Sequence, residues 1–125
     1  MKANDIRSLS APLLMCLALA ACEGQPPSSD ASTGGNPQRG LKAIQRYGCG
    51  ACHRIDGVPG AYGNVGPALE KIGERAYVAG KLPNSPDNLQ TWIRFPQRVV
   101  PGSAMPDLAV SETDARDIAA YLYHQ

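Results

Sequence analysis

The sequence of 125 residues contains few aromatic side chains and only two histidines, and neither sign of charge predominates in it. Aromatic residues make up only 6% of it, which leaves the core of so small a domain marginal. Twelve lysines and arginines stand against eleven acidic residues with no basic run, which excludes an electrostatic surface for nucleic acid. The length allows one small domain and excludes a multidomain enzyme.

No apolar stretch reaches the roughly 20 residues that a membrane-spanning helix needs. Leu9–Ala21 is nearly free of polar groups and follows a start that contains Lys2 and Arg7, which is the pattern of a signal peptide. The sequence therefore predicts export. The run ends in the letters LAAC, which resemble the lipobox of bacterial lipoproteins and imply a signal peptide over residues 1–21 and a lipid on Cys22. The alternative is plain signal cleavage after the small residues.

The next segment, residues 22–36, consists mainly of proline, serine, glycine and short polar residues. Such a composition cannot form a core, and we predict a flexible, lipid-anchored linker. Asn36 followed by Pro37 is typical of a helix N-cap and first helical residue, so the folded domain is predicted to cover residues 37–125.

Apolar positions at helical spacing predict a helix at each end of this domain. In the first helix Leu41, Ile44 and Tyr47 share a face that ends at Gly48. The last helix begins with a predicted capping box, in which Ser111 is followed three residues later by an acid. Its apolar face consists of four residues: Ala115, Ile118, Ala119 and Leu122.

Cys49, Cys52 and His53 form the motif CGACH directly after the first predicted helix. Two thiols at this spacing can bond to one porphyrin while the adjacent imidazole reaches its iron, and the spacing is that of c-type haem attachment. A thioredoxin-like thiol pair would need a βαβ pattern and a structural zinc site a second ligand pair, and the sequence shows neither. We therefore predict one haem c, covalent through two thioethers, with His53 as a metal ligand.

A ligand for the opposite face of the haem can come from Met105. It lies in the segment PGSAMP, whose prolines and glycine favour an irregular loop. A lone methionine is usually core filler, but Met105 is the only one left after removal of residues 1–21. The competing residue is His124, which lies next to the C-terminus, where a solvated side chain is expected.

Residues 40–122 carry CGACH, then GPAL at residues 66–69, then PGSAM at residues 101–105. In this order the motifs resemble class I cytochromes c, most closely the cytochrome c domain fused to subunit II of some haem-copper (caa3-type) oxidases. The resemblance implies an all-α class I cytochrome c fold, with three main helices plus short helices and long loops around one haem.

The resemblance also implies roles for residues that composition does not single out. The Pro67 carbonyl would accept the Nδ1–H of His53, and Leu69 would pack on the haem ring. Trp92 would lie in a short helix along the haem edge, where mitochondrial cytochromes carry a tyrosine beside the methionine sulfur. Ser103 would bond to a haem propionate.

Two further positions are interpreted through the same resemblance. The family's buried tryptophan that binds a propionate has no match here. Arg75 or Tyr77 could supply that contact, and either could equally be a solvated surface group. Gly40 would permit a close crossing of the first and last helices.

We hence predict a membrane-anchored monohaem electron carrier rather than an enzyme. It would be a monomer on the periplasmic or outer face of a bacterial membrane, inner or outer, and would serve a terminal oxidase or a dehydrogenase. The alternatives are a haem sensor or peroxidase with a labile methionine ligand and a fixed haem subunit of such a complex. The predicted docking surface is an apolar rim: Ala51, Val58, Val65, Ala104 and Leu108.

Overall fold

The computed structural model describes residues 32–125. The predicted signal peptide, the predicted lipidation site Cys22 and most of the predicted linker lie outside this range. The described part contains four helices: α1 (Pro37–Arg46), α2 (Pro86–Arg94), α3 (Pro96–Val99) and α4 (Glu112–Tyr123). None of these is long and apolar enough to cross a membrane.

Helix α1 begins where the sequence predicts. The Asn36 side chain accepts a hydrogen bond of 2.9 Å from the Arg39 N–H, and Pro37 occupies the first turn, where its missing N–H costs nothing. Ala43 and Ile44 are buried, and Gly48 follows the helix in the left-handed conformation at φ 71°. This turn directs the chain straight into the CGACH motif.

Helices α1 and α4 make the closest helix crossing of the domain. A Cβ atom added to Gly40 would lie 2.7 Å from the carbonyl carbon of Asp117 and 2.9 Å from Cβ of Tyr121. Only glycine therefore lets the two backbones approach this far. This is the contact that the resemblance implies for Gly40.

A buried carboxylate secures the same crossing. The side chain of Asp117 is 2% exposed and accepts hydrogen bonds from Nε and Nη2 of Arg39, at 2.6 and 2.9 Å. It also accepts one of 2.7 Å from the Asn36 N–H. Three donors satisfy a charge that would otherwise be costly to bury. The sequence pattern does not indicate that Asp117 is buried.

Packed structure begins a few residues before the predicted domain boundary. Thr33 is 7% exposed and Gly35 is buried. A Cβ on Gly35 would lie 2.9 Å from Cα of Asp117, so this segment runs against the backbone of α4. The end of the predicted linker is thus part of the domain, because two small residues fit where a larger side chain could not.

Helix α4 has the predicted cap and the predicted apolar face. The Ser111 hydroxyl oxygen accepts the Asp114 N–H at 3.1 Å. The return bond of the capping box differs from the prediction, since the Asp114 carboxylate accepts hydroxyl donors from Ser111 and Tyr47, each at 2.8 Å. Arg46 pairs with the same carboxylate at 2.7 Å. The four predicted apolar residues of α4 are all buried.

The long connection between α1 and α2 contains short regular pieces. Two are 3₁₀ turns, Cys49–Ala51 and Ile72–Glu74. Strands β1 (Tyr77–Val78) and β2 (Leu82–Pro83) pair antiparallel, with Tyr77 opposite Pro83. The sequence does not predict this hairpin, because strands of two residues are too short to show an alternating pattern.

Candidate functional site

A cavity of about 580 Å³ lies among α1, α2, α4 and the long loops. This volume is within the range that ligand sites occupy. Cys49, Cys52, His53 and Met105 all line it, together with mainly apolar side chains. The structure thus brings the predicted methionine to the same cavity as the CGACH motif, although the two lie far apart in the chain.

The two thiols of the motif are half-buried and are not joined in a disulfide. Burial raises the pKa of the Cys49 thiol above its ordinary value. Reactive thiol pairs have the opposite shift, since their chemistry needs a thiolate at neutral pH. Cys49 is therefore held as a neutral thiol facing an apolar space.

The imidazole of His53 is oriented by a backbone carbonyl. Its Nδ1 lies 2.7 Å from the carbonyl oxygen of Pro67. A carbonyl oxygen can only accept, so Nδ1 carries the hydrogen, and in the neutral ring the lone pair is on Nε2. This is the arrangement that makes a histidine a well-oriented and more basic ligand for a metal.

Three backbone hydrogen bonds hold residues 63–69, which include GPAL, beside residues 50–54. The amides of Gly63, Gly66 and Leu69 donate to Gly50, Cys52 and Arg54, at 3.1, 2.9 and 2.9 Å respectively. The bonds of Gly66 and Leu69 lie on either side of Pro67 in the chain, so together they fix the position of the Pro67 carbonyl.

Gly66 is needed next to the imidazole for steric reasons. A Cβ atom at this position would lie 2.7 Å from Nδ1 of His53, inside van der Waals contact. Any larger residue would push the ring away from the Pro67 carbonyl. The GPAL motif therefore provides both the space that the His53 ring needs, at Gly66, and the carbonyl oxygen that bonds to its Nδ1, at Pro67.

The loop that carries Met105 is secured by two polar side chains. The Met105 N–H donates to the Ser103 hydroxyl oxygen at 3.2 Å, so Ser103 orders the loop; its hydroxyl hydrogen stays available for the predicted propionate contact. The Gln97 amide bonds to Gly102, Ser103 and Met105. Sequence analysis missed Gln97, because nothing in its local pattern marks an exposed glutamine as a partner of a distant loop.

Apolar residues from α2 and the GPAL segment complete the cavity wall. Leu69 and Trp92 line it, as do the buried Leu89 and Ile93. The predicted competitor His124 is exposed and lies outside the cavity lining.

Both residues considered for propionate binding line the cavity. Arg75 donates through Nη2 to the carbonyl oxygens of Ala68 and Glu70, at 2.5 and 3.1 Å. Tyr77 is 60% exposed. Arg75 is consequently fixed in place by the loop itself, whereas most of the Tyr77 side chain faces solvent.

The predicted apolar rim is partly wrong. Val58 is only 6% exposed and belongs to the core, because its loop folds back so that its side chain points inward. The other four residues are exposed, and Val65, Ala104 and Leu108 also line the cavity. Val65 is 70% exposed and Leu108 is 37% exposed.

The residues present fit a haem c. The cavity offers two free thiols, an imidazole oriented through its Nδ1, a thioether and an apolar lining, which is the donor set and the environment that this group requires. Within residues 32–125, no three His, Cys, Asp or Glu side chains converge as a purely protein-bound metal cluster.

Comparison with known proteins agrees with this geometry. The family model described as Cytochrome c matches residues 37–125. The chain is 35% identical over 101 residues to cytochrome c oxidase subunit 2 of Alkalihalophilus pseudofirmus, covering 80% of this chain and 29% of that protein. It is 29% identical over 84 residues to cytochrome c oxidase subunit 2 of Bacillus subtilis, covering 62% and 24%. The chain thus spans less than a third of either relative.

Proposed function

Since the chain belongs to the cytochrome c family, we propose that it carries single electrons between membrane-bound respiratory partners. In this proposal His53 and Met105 are the ligands of its iron. Family membership confirms the predicted all-α class I cytochrome c fold and the predicted cofactor, a covalently bound haem c. It also supports the role of an electron carrier.

The observation that carries the proposal is the shared cavity. It joins Cys49, Cys52 and His53 with Met105, and its other lining residues are mainly apolar. Within residues 32–125 the acidic side chains are engaged elsewhere or lie outside the lining. An electron carrier needs protein ligands for its iron and does not need residues that make or break bonds in a substrate.

When bound, the haem supplies an iron that gains and loses one electron, at a potential that histidine and methionine ligation raises relative to two histidines. The chain's own residues hold this ligand set still. The Pro67 carbonyl lies 2.7 Å from Nδ1 of His53 and orients the ring so that Nε2 is the nitrogen left for the iron. The loop around Ser103 presents the Met105 side chain to the same cavity. A rigid shell lets the electron move with little rearrangement.

We propose that partners dock on the exposed residues of the rim. Ala51, Val65, Ala104 and Leu108 are apolar and exposed. Without residues 1–21 the chain is formally neutral, so long-range steering is weak and the contact is small and short-lived. Similarity to oxidase subunits supports a terminal oxidase as acceptor. The rate of electron transfer to an oxidase should therefore change little with ionic strength.

We also propose export and lipid anchoring through Cys22, on the strength of the LAAC sequence at the end of the apolar run. Several acyl chains make anchoring stable, whereas a single chain is marginal. In a bacterial host, wild-type protein should pellet with membranes and a Cys22→Ala variant should be soluble in the periplasm. A Cys22→Ala protein that still pellets after a salt wash contradicts the anchor.

The ligand set is tested by optical spectroscopy of the matured protein. A ferric low-spin spectrum with the near-infrared band of methionine–iron ligation, and a ferrous form that binds CO slowly, are expected for the wild type. Met105→Ala should become high-spin and bind CO rapidly. Gln45→Ala, an exposed change on α1, is the control. Rapid CO binding by the wild type would instead identify a ligand-binding sensor or peroxidase.

A further inference from the structure

One glutamine side chain from outside the loop that carries Met105 makes three hydrogen bonds to it. Gln97 lies on the short helix α3, and its Nε2 donates to the carbonyl oxygens of Ser103 and Met105, at 2.9 and 2.8 Å. Its Oε1 accepts the Gly102 N–H at 3.1 Å. The side chain thereby uses both amide hydrogens and its oxygen on one loop.

We propose that Gln97 is a positioning residue that sets how firmly Met105 holds the iron. The inference rests on the proposed ligation by Met105. Gln97 itself does not line the cavity, so it acts through the backbone of residues 102–105 and not by contact with the cofactor.

The loop needs such a clamp because its own structure is weak. Gly102 has a left-handed φ of 79°, and an added Cβ there would meet nothing within 4 Å. Its internal bonds are the short-range ones from the Ser103 N–H to Val100 and from the Met105 N–H to Ser103. An irregular loop without regular hydrogen bonding otherwise opens easily.

The consequence for the ligand is thermodynamic. A thioether on a free loop must lose backbone entropy each time it binds, and this cost weakens the bond to the iron. Gln97 orders the loop before the bond forms, so the methionine starts close to its bound position. Removing the clamp should leave the fold intact and lower the affinity of Met105 for the iron.

Competition with imidazole measures that affinity directly. Ferric protein is titrated with imidazole, which displaces methionine, and the apparent binding constant is compared among variants. Gln97→Ala should bind imidazole about tenfold more tightly than the wild type, as expected from the loss of several hydrogen bonds. Gln97→Met, which keeps the volume without the hydrogen bonds, should match Gln97→Ala.

The controls separate this role from a general loss of structure. Gln45→Ala removes an exposed glutamine from α1 and should leave the imidazole constant unchanged. In the ferrous protein the Gly102 amide should exchange its hydrogen faster in both Gln97 variants, while the buried amides of α4 keep their protection.

The outcomes are distinguishable. Wild-type imidazole affinity in both Gln97 variants overturns the role of Gln97 and leaves the proposed function standing. A wild type without the methionine–iron band overturns the proposed ligation, and this inference with it.

Discussion

The α1–α4 crossing and the loops around the cavity are built on different principles. The crossing is complete in itself: Gly40 admits the α4 backbone, and the Asp117 carboxylate has three protein donors. The cavity half has short 3₁₀ turns, two-residue strands and a space of about 580 Å³ where a core would be. The crossing is thus stabilised by protein contacts, whereas we expect the cavity half to depend on its cofactor.

Removing the covalent bonds to the cofactor tests this contrast most severely. Cys49→Ala/Cys52→Ala should leave a chain that is mostly unfolded at 25 °C, because a small domain has a stability of only about 5–15 kcal/mol and here lacks the centre of its core. Far-UV circular dichroism and NMR dispersion measure the outcome. Native-like spectra would show that the loops fold without the cofactor.

Breaking the crossing should have the second largest effect. Gly40→Ala brings a Cβ against the Asp117 backbone, and overpacking of this kind costs about 1–3 kcal/mol. Alanine stabilises a helix by only about 0.5–1 kcal/mol relative to glycine, so the overpacking dominates. Urea unfolding of the haem-loaded protein should show a net loss. Lys42→Ala, on the exposed side of α1, is the control. Unchanged stability for Gly40→Ala would mean that the helices can separate without cost.

A matched change in the cavity half is Gly66→Ala. The new methyl group would collide with the His53 ring, which is expected to cost about 1–2 kcal/mol and to loosen the imidazole. The haem spectrum should shift toward high spin while the far-UV signal of α1 and α4 is kept. Asn64→Ala, exposed in the same loop, should change neither. A wild-type spectrum in Gly66→Ala would contradict the packing argument.

The smallest effect is expected from acid titration of the α4 cap. Hydrogen bonds from Ser111 and Tyr47, and then Arg46, hold the pKa of Asp114 below its ordinary value of 3.8. The ionised Asp114 carboxylate therefore contributes fully to the free energy of unfolding above pH 3.8, and this contribution is lost as the pH falls through the lowered pKa. Asp114→Asn should cost about 1 kcal/mol at pH 7 and converge with the wild type once the pH has fallen below the lowered pKa of Asp114.

The control for that titration is Asp56→Asn, an exposed acid in the long loop. Its free energy of unfolding at pH 7 should match that of the wild type. Parallel pH profiles for Asp114→Asn and the wild type would show that the cap carbonyl and hydroxyl groups stabilise α4 without the charge.

Local chemistry was predictable from the sequence. Asn36 before Pro37 and Ser111 before its acid are capping signals that act within one turn, and both helices begin where these residues indicate. The CGACH spacing is equally local, because three side chains within five residues define it. Family resemblance then supplied the Pro67 partner of His53, a contact that no spacing rule gives.

Contacts between distant residues were not predictable in this way. The pairing of Arg39 with the buried Asp117 joins α1 to α4 and has no local signature. The same holds for the clamp of Gln97 on the methionine loop. Val58 was placed on the surface because a valine in a polar loop has no periodic neighbours from which burial could be inferred. In each case the tertiary fold, and not propensity, decides the environment.

The bond from the Asn36 N–H to Asp117 has a mechanical consequence. Any pull on the chain ahead of Thr33 is transmitted first to the α1–α4 pair, and no residue in the range 32–40 lines the cavity. The part of the domain that would transmit such a force is therefore separate from the part that lines the cavity. A leading segment of another length, or another protein altogether, could be joined at residue 32 without straining the ligand loops, so the same unit is portable between carriers that stand alone and carriers built into larger machines.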